Sequence, residues 1–131
     1  MSSVSTILDY RRMVNSIHLN LLVSTKSYSN KFKAFETGAE YVHCGVDSIL
    51  PMGVTNETLR YMTDNYVPVY GHVGAISGWQ TSATGYKRIG KTAEAAYKVW
   101  RMGYEYQENG MGMMTIELVP KEVAQLISEK L

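Results

Sequence analysis

Cysteine, long apolar runs and net charge are all scarce in this sequence. A single cysteine, Cys44, cannot form an intramolecular disulfide, which fits a reducing cytoplasm and excludes a disulfide framework. No apolar run approaches the roughly 20 residues of a membrane span, and no charged-then-apolar layout marks a signal peptide, so a membrane is not an expected partner. Thirteen Lys and Arg against twelve Asp and Glu give a formal charge of +1 with no block of either sign. That balance offers nothing electrostatic to nucleic acid. What is present is ordinary for one globular domain over residues 1–131: 45% hydrophobic and 19% charged side chains, enough to bury a core. Eight methionines and ten tyrosines are many for this length and read as core and interface filler.

The pattern along the chain alternates between helical and strand periods. A helix is expected over 5–15, with Ile7 and Leu8 on one face and Arg11 and Arg12 solvated or meeting an acid of a neighbouring subunit. A buried strand follows over 17–23, with His18 as a core or edge histidine, and then a polar loop. Residues 31–37 suggest a short helix closed by Gly38, and 40–44 a second strand that breaks at Gly45. Thr55 begins a capped helix running to about Asn65, and Thr92 caps the longest one, which ends at Gly110. The strand 67–71 lies between them, followed by a polar connection over 75–91 long enough to serve as a lid. A last strand over 112–119 leads to Pro120, where a missing amide is harmless at a helix start. Strand, helix, strand with short connectors implies parallel pairing. The expected fold class is α/β, with alternating parallel strands and helices.

Three polar groups fall at expected strand carboxyl ends, the edge where parallel sheets gather their chemistry. His72 sits in Tyr70-Gly71-His72-Val73-Gly74, either as a site residue or bonded to nearby backbone. Asp47, followed by Ser48, either holds a divalent cation or closes an Asx turn. Glu117 interrupts an apolar strand, as a buried ion-pair partner or a general base.

The run Val67-Pro68-Val69-Tyr70-Gly71-His72-Val73-Gly74 resembles ketopantoate hydroxymethyltransferases. So do Gly85-Tyr86-Lys87-Arg88-Ile89-Gly90-Lys91 and Ile116-Glu117-Leu118-Val119-Pro120, in the same order and approximate spacing. Similar too are Asp9-Tyr10-Arg11, Ser27-Tyr28, Phe35 with Gly38, and Val46-Asp47-Ser48 against the family's Gly-Asp-Ser. The resemblance implies part of a (β/α)8 barrel, a fold that takes about 250 residues when complete. It implies hydroxymethyl transfer from methylenetetrahydrofolate to 3-methyl-2-oxobutanoate in pantothenate synthesis, with a small 2-oxo acid as substrate and Mg2+ as cofactor. By position Glu117 resembles the catalytic base, Ser48 and His72 substrate contacts, and Asp47 a metal ligand. The family's Ala-Asp-Leu-Pro and Lys-Ile-Glu stretches have no counterpart. Two function classes follow: a shortened enzyme of this family, or a non-catalytic relative that kept the sheet as a structural or interaction subunit. Open sheet edges in a partial barrel make a homo-oligomer the expectation in both cases.

Overall fold

Helix starts are set by three side chains. In the computed structural model, which describes residues 4–23, 30–75 and 85–131, Asn30 Oδ1 accepts the Lys33 N–H at 2.9 Å. Thr55 Oγ1 accepts the Thr58 N–H, and Thr92 Oγ1 the Ala95 N–H, both at 3.2 Å. Each bond satisfies a first-turn amide that has no partner within the helix. The elements in order are α1 (Val4–Met13), β1 (Asn20–Val23), α2 (Lys31–His43), β2 (Ser48–Pro51), α3 (Asn56–Asp64), β3 (Tyr70–Gly74), α4 (Ala93–Glu108), β4 (Met113–Glu117) and α5 (Lys121–Lys130). No helix among the described residues is long and apolar enough to cross a membrane.

β1 pairs with β2 and β3 with β4, both in parallel. A parallel bridge between Ile49 and Val69, with the Ile49 N–H donating to Pro68 O at 2.9 Å, joins the two pairs in the order β1-β2-β3-β4. Two apolar clusters lie on the helix-facing side. Ile7, Val23, Ile49, Leu59, Met62 and Val69 belong to the first, and Val73, Val99, Val123 and Ile127 to the second. Side chains alternate across a strand, so Leu22, Leu50, His72, Thr115 and Glu117 lie on the opposite face. Fully burying a side chain such as Ile49 contributes about 1.5–3 kcal/mol, and the sheet is held to its helices mainly by such contacts.

The second expected strand is corrected. Residues 40–44 complete α2, Gly38 lies inside that helix, and the strand begins only at Ser48. Tyr41 and Val42 have strand-like chemistry, but they pack against the same cluster as Ala34, at helical spacing. Gly38 lets α2 approach its neighbours: a Cβ there would stand 2.9 Å from Val67 Cγ1. The helix gives way at Gly45, whose φ of +98° is open to glycine. The strand expected over 67–71 runs instead from Tyr70 to Gly74, which places His72 inside it.

Candidate functional site

Glu117 is the last residue of β4 and pairs in register with Gly74, the last of β3; His72 pairs with Thr115 one step below on the same face. His72 Nε2 lies 3.0 Å from Glu117 Oε2. The histidine side chain is 7% exposed and the glutamate 37%, so the pair faces outward from a buried ring to a half-open carboxylate. The approach is close enough for an ion pair without hydrogen-bond alignment, and neither ring nitrogen has a hydrogen-bond partner among the described residues. A buried ring with unsatisfied nitrogens is costly unless a bound group completes it.

The backbone around the pair is drawn tight. Gly74 has φ +94°, and its missing Cβ leaves room for the Glu117 carbonyl oxygen. That oxygen accepts the Ala75 N–H at 2.9 Å, while Leu118, at φ +51°, accepts the Ile89 N–H at 2.8 Å. A bulky residue in the left-handed region immediately after a carboxylate stores strain of about 1–3 kcal/mol, a cost concentrated at functional edges. Gly74 and Leu118 were not singled out as site residues by the sequence; the glycine that ends the His72 strand was the available signal. The expected lid is only partly described, since 76–84 lie outside the described residues, as do Ser27 and Tyr28.

Asp47 and Ser48 do not join this pair. They stand at the amino end of β2, because the strand follows them and does not precede them. Asp47 Oδ2 accepts from the Leu19 N–H at 2.8 Å and from the Arg11 guanidinium. Arg11 is therefore neither solvated nor free for a neighbouring subunit; its Nε also donates to Gly45 O at 2.7 Å. The Leu19 amide, then the Arg11 guanidinium, hold the Asp47 carboxyl below its ordinary value of 3.8. Ser48 is buried, donates to Asn20 Oδ1 at 2.9 Å and meets His18 Nε2 at 2.9 Å. His18 is thus an edge histidine engaged by a hydroxyl.

A folded-state carboxyl below its unfolded value stabilises above the unfolded value, and the contribution disappears as pH falls through the folded one. Asp47→Asn is therefore expected to lower Tm by a few degrees at pH 7, with the two proteins converging below about pH 3.8. Thermal melts across pH check this; a gap that persists unchanged into acid would assign the loss to something other than charge.

Mg2+ fits these residues poorly. The described residues contain no grouping of three or more His, Cys, Asp or Glu able to hold a metal. The remaining segments, 1–3, 24–29 and 76–84, contain none of those residue types. The carboxyl ends of β1 and β2 carry Val23, Pro51 and Met52, all apolar, and Asp47 is occupied at the far edge. A hard divalent cation takes oxygen ligands, and Glu117 is the one carboxylate at the described strand ends on this edge.

Comparison with known proteins agrees with this α/β layout. The phosphonopyruvate hydrolase structure superposes with a TM-score of 0.63 at 16% identity, over 99% of this chain and 48% of that one, showing the fold to be part of a TIM barrel. The 3-methyl-2-oxobutanoate hydroxymethyltransferase of Janthinobacterium sp. (strain Marseille) is 31% identical over 105 residues, 79% of this chain and 39% of the relative. That of Nitrosopumilus maritimus (strain SCM1) is 33% identical over 101 residues, 77% and 34% respectively. The chain thus spans less than half the length of these curated relatives. The family model for ketopantoate hydroxymethyltransferase matches residues 9–131, and the chain belongs to that family.

Proposed function

We propose that the carboxyl edge of this sheet binds a small 2-oxo acid, and that Glu117 removes the proton from the carbon beside the keto group. The reaction it would begin is hydroxymethyl transfer from methylenetetrahydrofolate to 3-methyl-2-oxobutanoate, the activity named for the relatives. The observation that carries this reading is the 3.0 Å approach of Glu117 Oε2 to a buried His72 at the ends of β3 and β4.

In the first step the C3–H bond breaks toward the Glu117 carboxylate, and its electron pair moves onto the keto oxygen as an enolate. Water releases the folate methylene as formaldehyde, both of its carbon–nitrogen bonds breaking and each nitrogen taking a proton. C3 then bonds to that carbon, and its oxygen takes up a proton, equivalent to the one lost from C3, to become the hydroxyl. His72 contributes a buried ring without a hydrogen-bond partner among the described residues, suited to donate to an oxygen of the substrate. A partly exposed carboxylate beside such a donor is a chemically sensible base, and general-base removal of a proton typically accelerates a reaction by about 10²–10⁴.

Proton NMR of 3-methyl-2-oxobutanoate in D2O tests the chemistry without folate. The expected result is loss of the C3 proton signal, with the methyl doublet collapsing to a singlet, faster than in buffer. The described residues supply no cluster of metal ligands, so the rate should be unchanged by chelator. Because Asp47 sits at the opposite edge, Asp47→Asn should leave it unchanged as well. Absence of exchange above buffer, in a sample with a cooperative melt, would overturn this reading in favour of a non-catalytic subunit.

A further inference from the structure

Each face of a parallel sheet ordinarily lies against another layer, because its strands are joined by crossovers and read as buried on both sides. Here both apolar clusters and all their helices lie on one face. The other face is open toward its two edges: Leu22 on β1 is 60% exposed and Met113 on β4 is 47% exposed. Along their outer sides β1 and β4 have no paired strand among the described residues.

We propose that two copies of this chain close one eight-stranded parallel barrel, β4 of each running beside β1 of the other about a two-fold axis along the barrel. This assembly does not depend on the chemistry proposed above. A second copy is the occupant that the edges themselves specify. β1 and β4 run in the same direction at opposite ends of one sheet, so the two-fold brings each to its complement at the same moment and leaves no open edge.

The register supports closure and fixes the contact. Leu22 is level with Leu50, Ile49 with Val69, and Tyr70 with Met113, so Leu22, Leu50, Tyr70 and Met113 form one row across the sheet. Beyond that row β1 and β2 stop at once, at Val23 and Pro51, whereas β3 and β4 continue to Gly74 and Glu117. The mouth therefore climbs along the strands from β1 to β4, the stagger a tilted barrel needs. An eight-stranded barrel of this kind has a shear of about eight, which two equal halves divide into about four residues each. That offset puts Thr115 beside Asn20 of the second copy and Glu117 beside Leu22 of the second copy. The His72–Glu117 pair would then face a wall supplied by the partner, and without it the half-exposed Glu117 carboxylate opens to solvent.

Light scattering on the eluting wild-type chain at micromolar concentration should give twice the 14.7 kDa chain mass. A stable monomer would overturn the proposal without any variant being made. The contact is tested by oxidising Asn20→Cys/Thr115→Cys in a Cys44→Ser background. Within one chain these positions are three strand spacings and four residues of rise apart, roughly 19 Å, beyond the reach of a disulfide. A covalent dimer on a non-reducing gel is expected from the double variant and none from either single one, because like positions face each other across the barrel. A dimer linked by Thr115→Cys alone would show β4 pairing with β4, and a dimer that the double variant fails to link would place the interface elsewhere; both overturn the barrel. Leu22→Lys, which sets a charge on the edge, should return the mass to that of one chain.

Discussion

Replacing Glu117 by glutamine should reduce C3 exchange of 3-methyl-2-oxobutanoate by about a hundredfold or more, the usual worth of a positioned general base. Glutamine keeps the shape and an acceptor oxygen but has no basic site. Glu117 ends β4 with a side chain 37% exposed and, among the described residues, one close partner, His72 Nε2, so the fold does not hang on its charge. The melting temperature should move by no more than a few degrees, which separates lost chemistry from lost structure. Glu122→Gln is the matched control: it lies in the first turn of α5 and changes the same formal charge away from the pair. If Glu117→Gln exchanged like the wild type, the base would have to be another group and the His72 contact would be structural only. Were both variants slow, the effect would belong to the overall field and not to the position.

The parts of the fold readable in the sequence were those fixed by local chemistry. Thr55 and Thr92 were recognisable as caps because a hydroxyl before a helical pattern has one obvious use, the first-turn amide. Glu117 was recognisable because a lone charge in an apolar strand must be placed somewhere that tolerates it. His72 was assigned to a strand end and lies two residues short of it; the strand expected to end at Gly71 runs on to Gly74, the residue with positive φ. The α2 extension was missed because Tyr41 and Val42 favour strands in isolation, while their packing against the first cluster is a tertiary fact. The same error reversed Asp47 and Ser48, since moving one strand past them exchanges the carboxyl edge for the amino edge. Nothing local announces that Arg11 will reach Asp47 across 36 positions of sequence. The candidate site was therefore half legible: the members on β3 and β4 stand together, and those assigned to β2 belong to a separate polar network.

That network and the His72–Glu117 pair divide the sheet between them. At the amino edge Arg11, Asp47, Leu19, Ser48, Asn20 and His18 satisfy one another, an arrangement that ties the chain entering β1 to the turn entering β2. At the carboxyl edge both ring nitrogens of His72 lack a hydrogen-bond partner among the described residues. In barrels of this kind chemistry gathers at the carboxyl edge and stabilising contacts at the other. An unsatisfied buried ring beside a strained strand end is what a substrate-binding edge requires, and a fully paired cluster is what a supporting edge requires.

Gly74 is where the supporting and chemical roles meet, and Gly74→Ala is expected to be among the most damaging single-methyl changes in the chain. A Cβ at this position would stand 2.1 Å from the Glu117 carbonyl oxygen and 2.9 Å from Val119 Cγ1. The first contact is with backbone, which cannot swing aside as a side-chain tip would. The φ of +94° adds a strain that alanine meets and glycine does not. Strain of about 1–3 kcal/mol and a similar overpacking cost together give about 2–6 kcal/mol, a large share of the stability of a domain this size. Two other glycines separate the contributions. Gly85 also has positive φ, at +73°, but open space around its Cβ position, so Gly85→Ala should show the conformational cost alone. Gly112 has neither strain nor a neighbour within 4 Å, and Gly112→Ala should be nearly neutral. Urea melts of the three variants should rank them in that order, Gly74→Ala worst. Any Gly74→Ala protein that still folds must have pushed the end of β4 away from β3, so its C3 exchange should fall even where its secondary structure is retained. A Gly74→Ala variant as stable as Gly112→Ala would mean that β3 and β4 do not end against each other, and the His72–Glu117 pair would lose its scaffold with them.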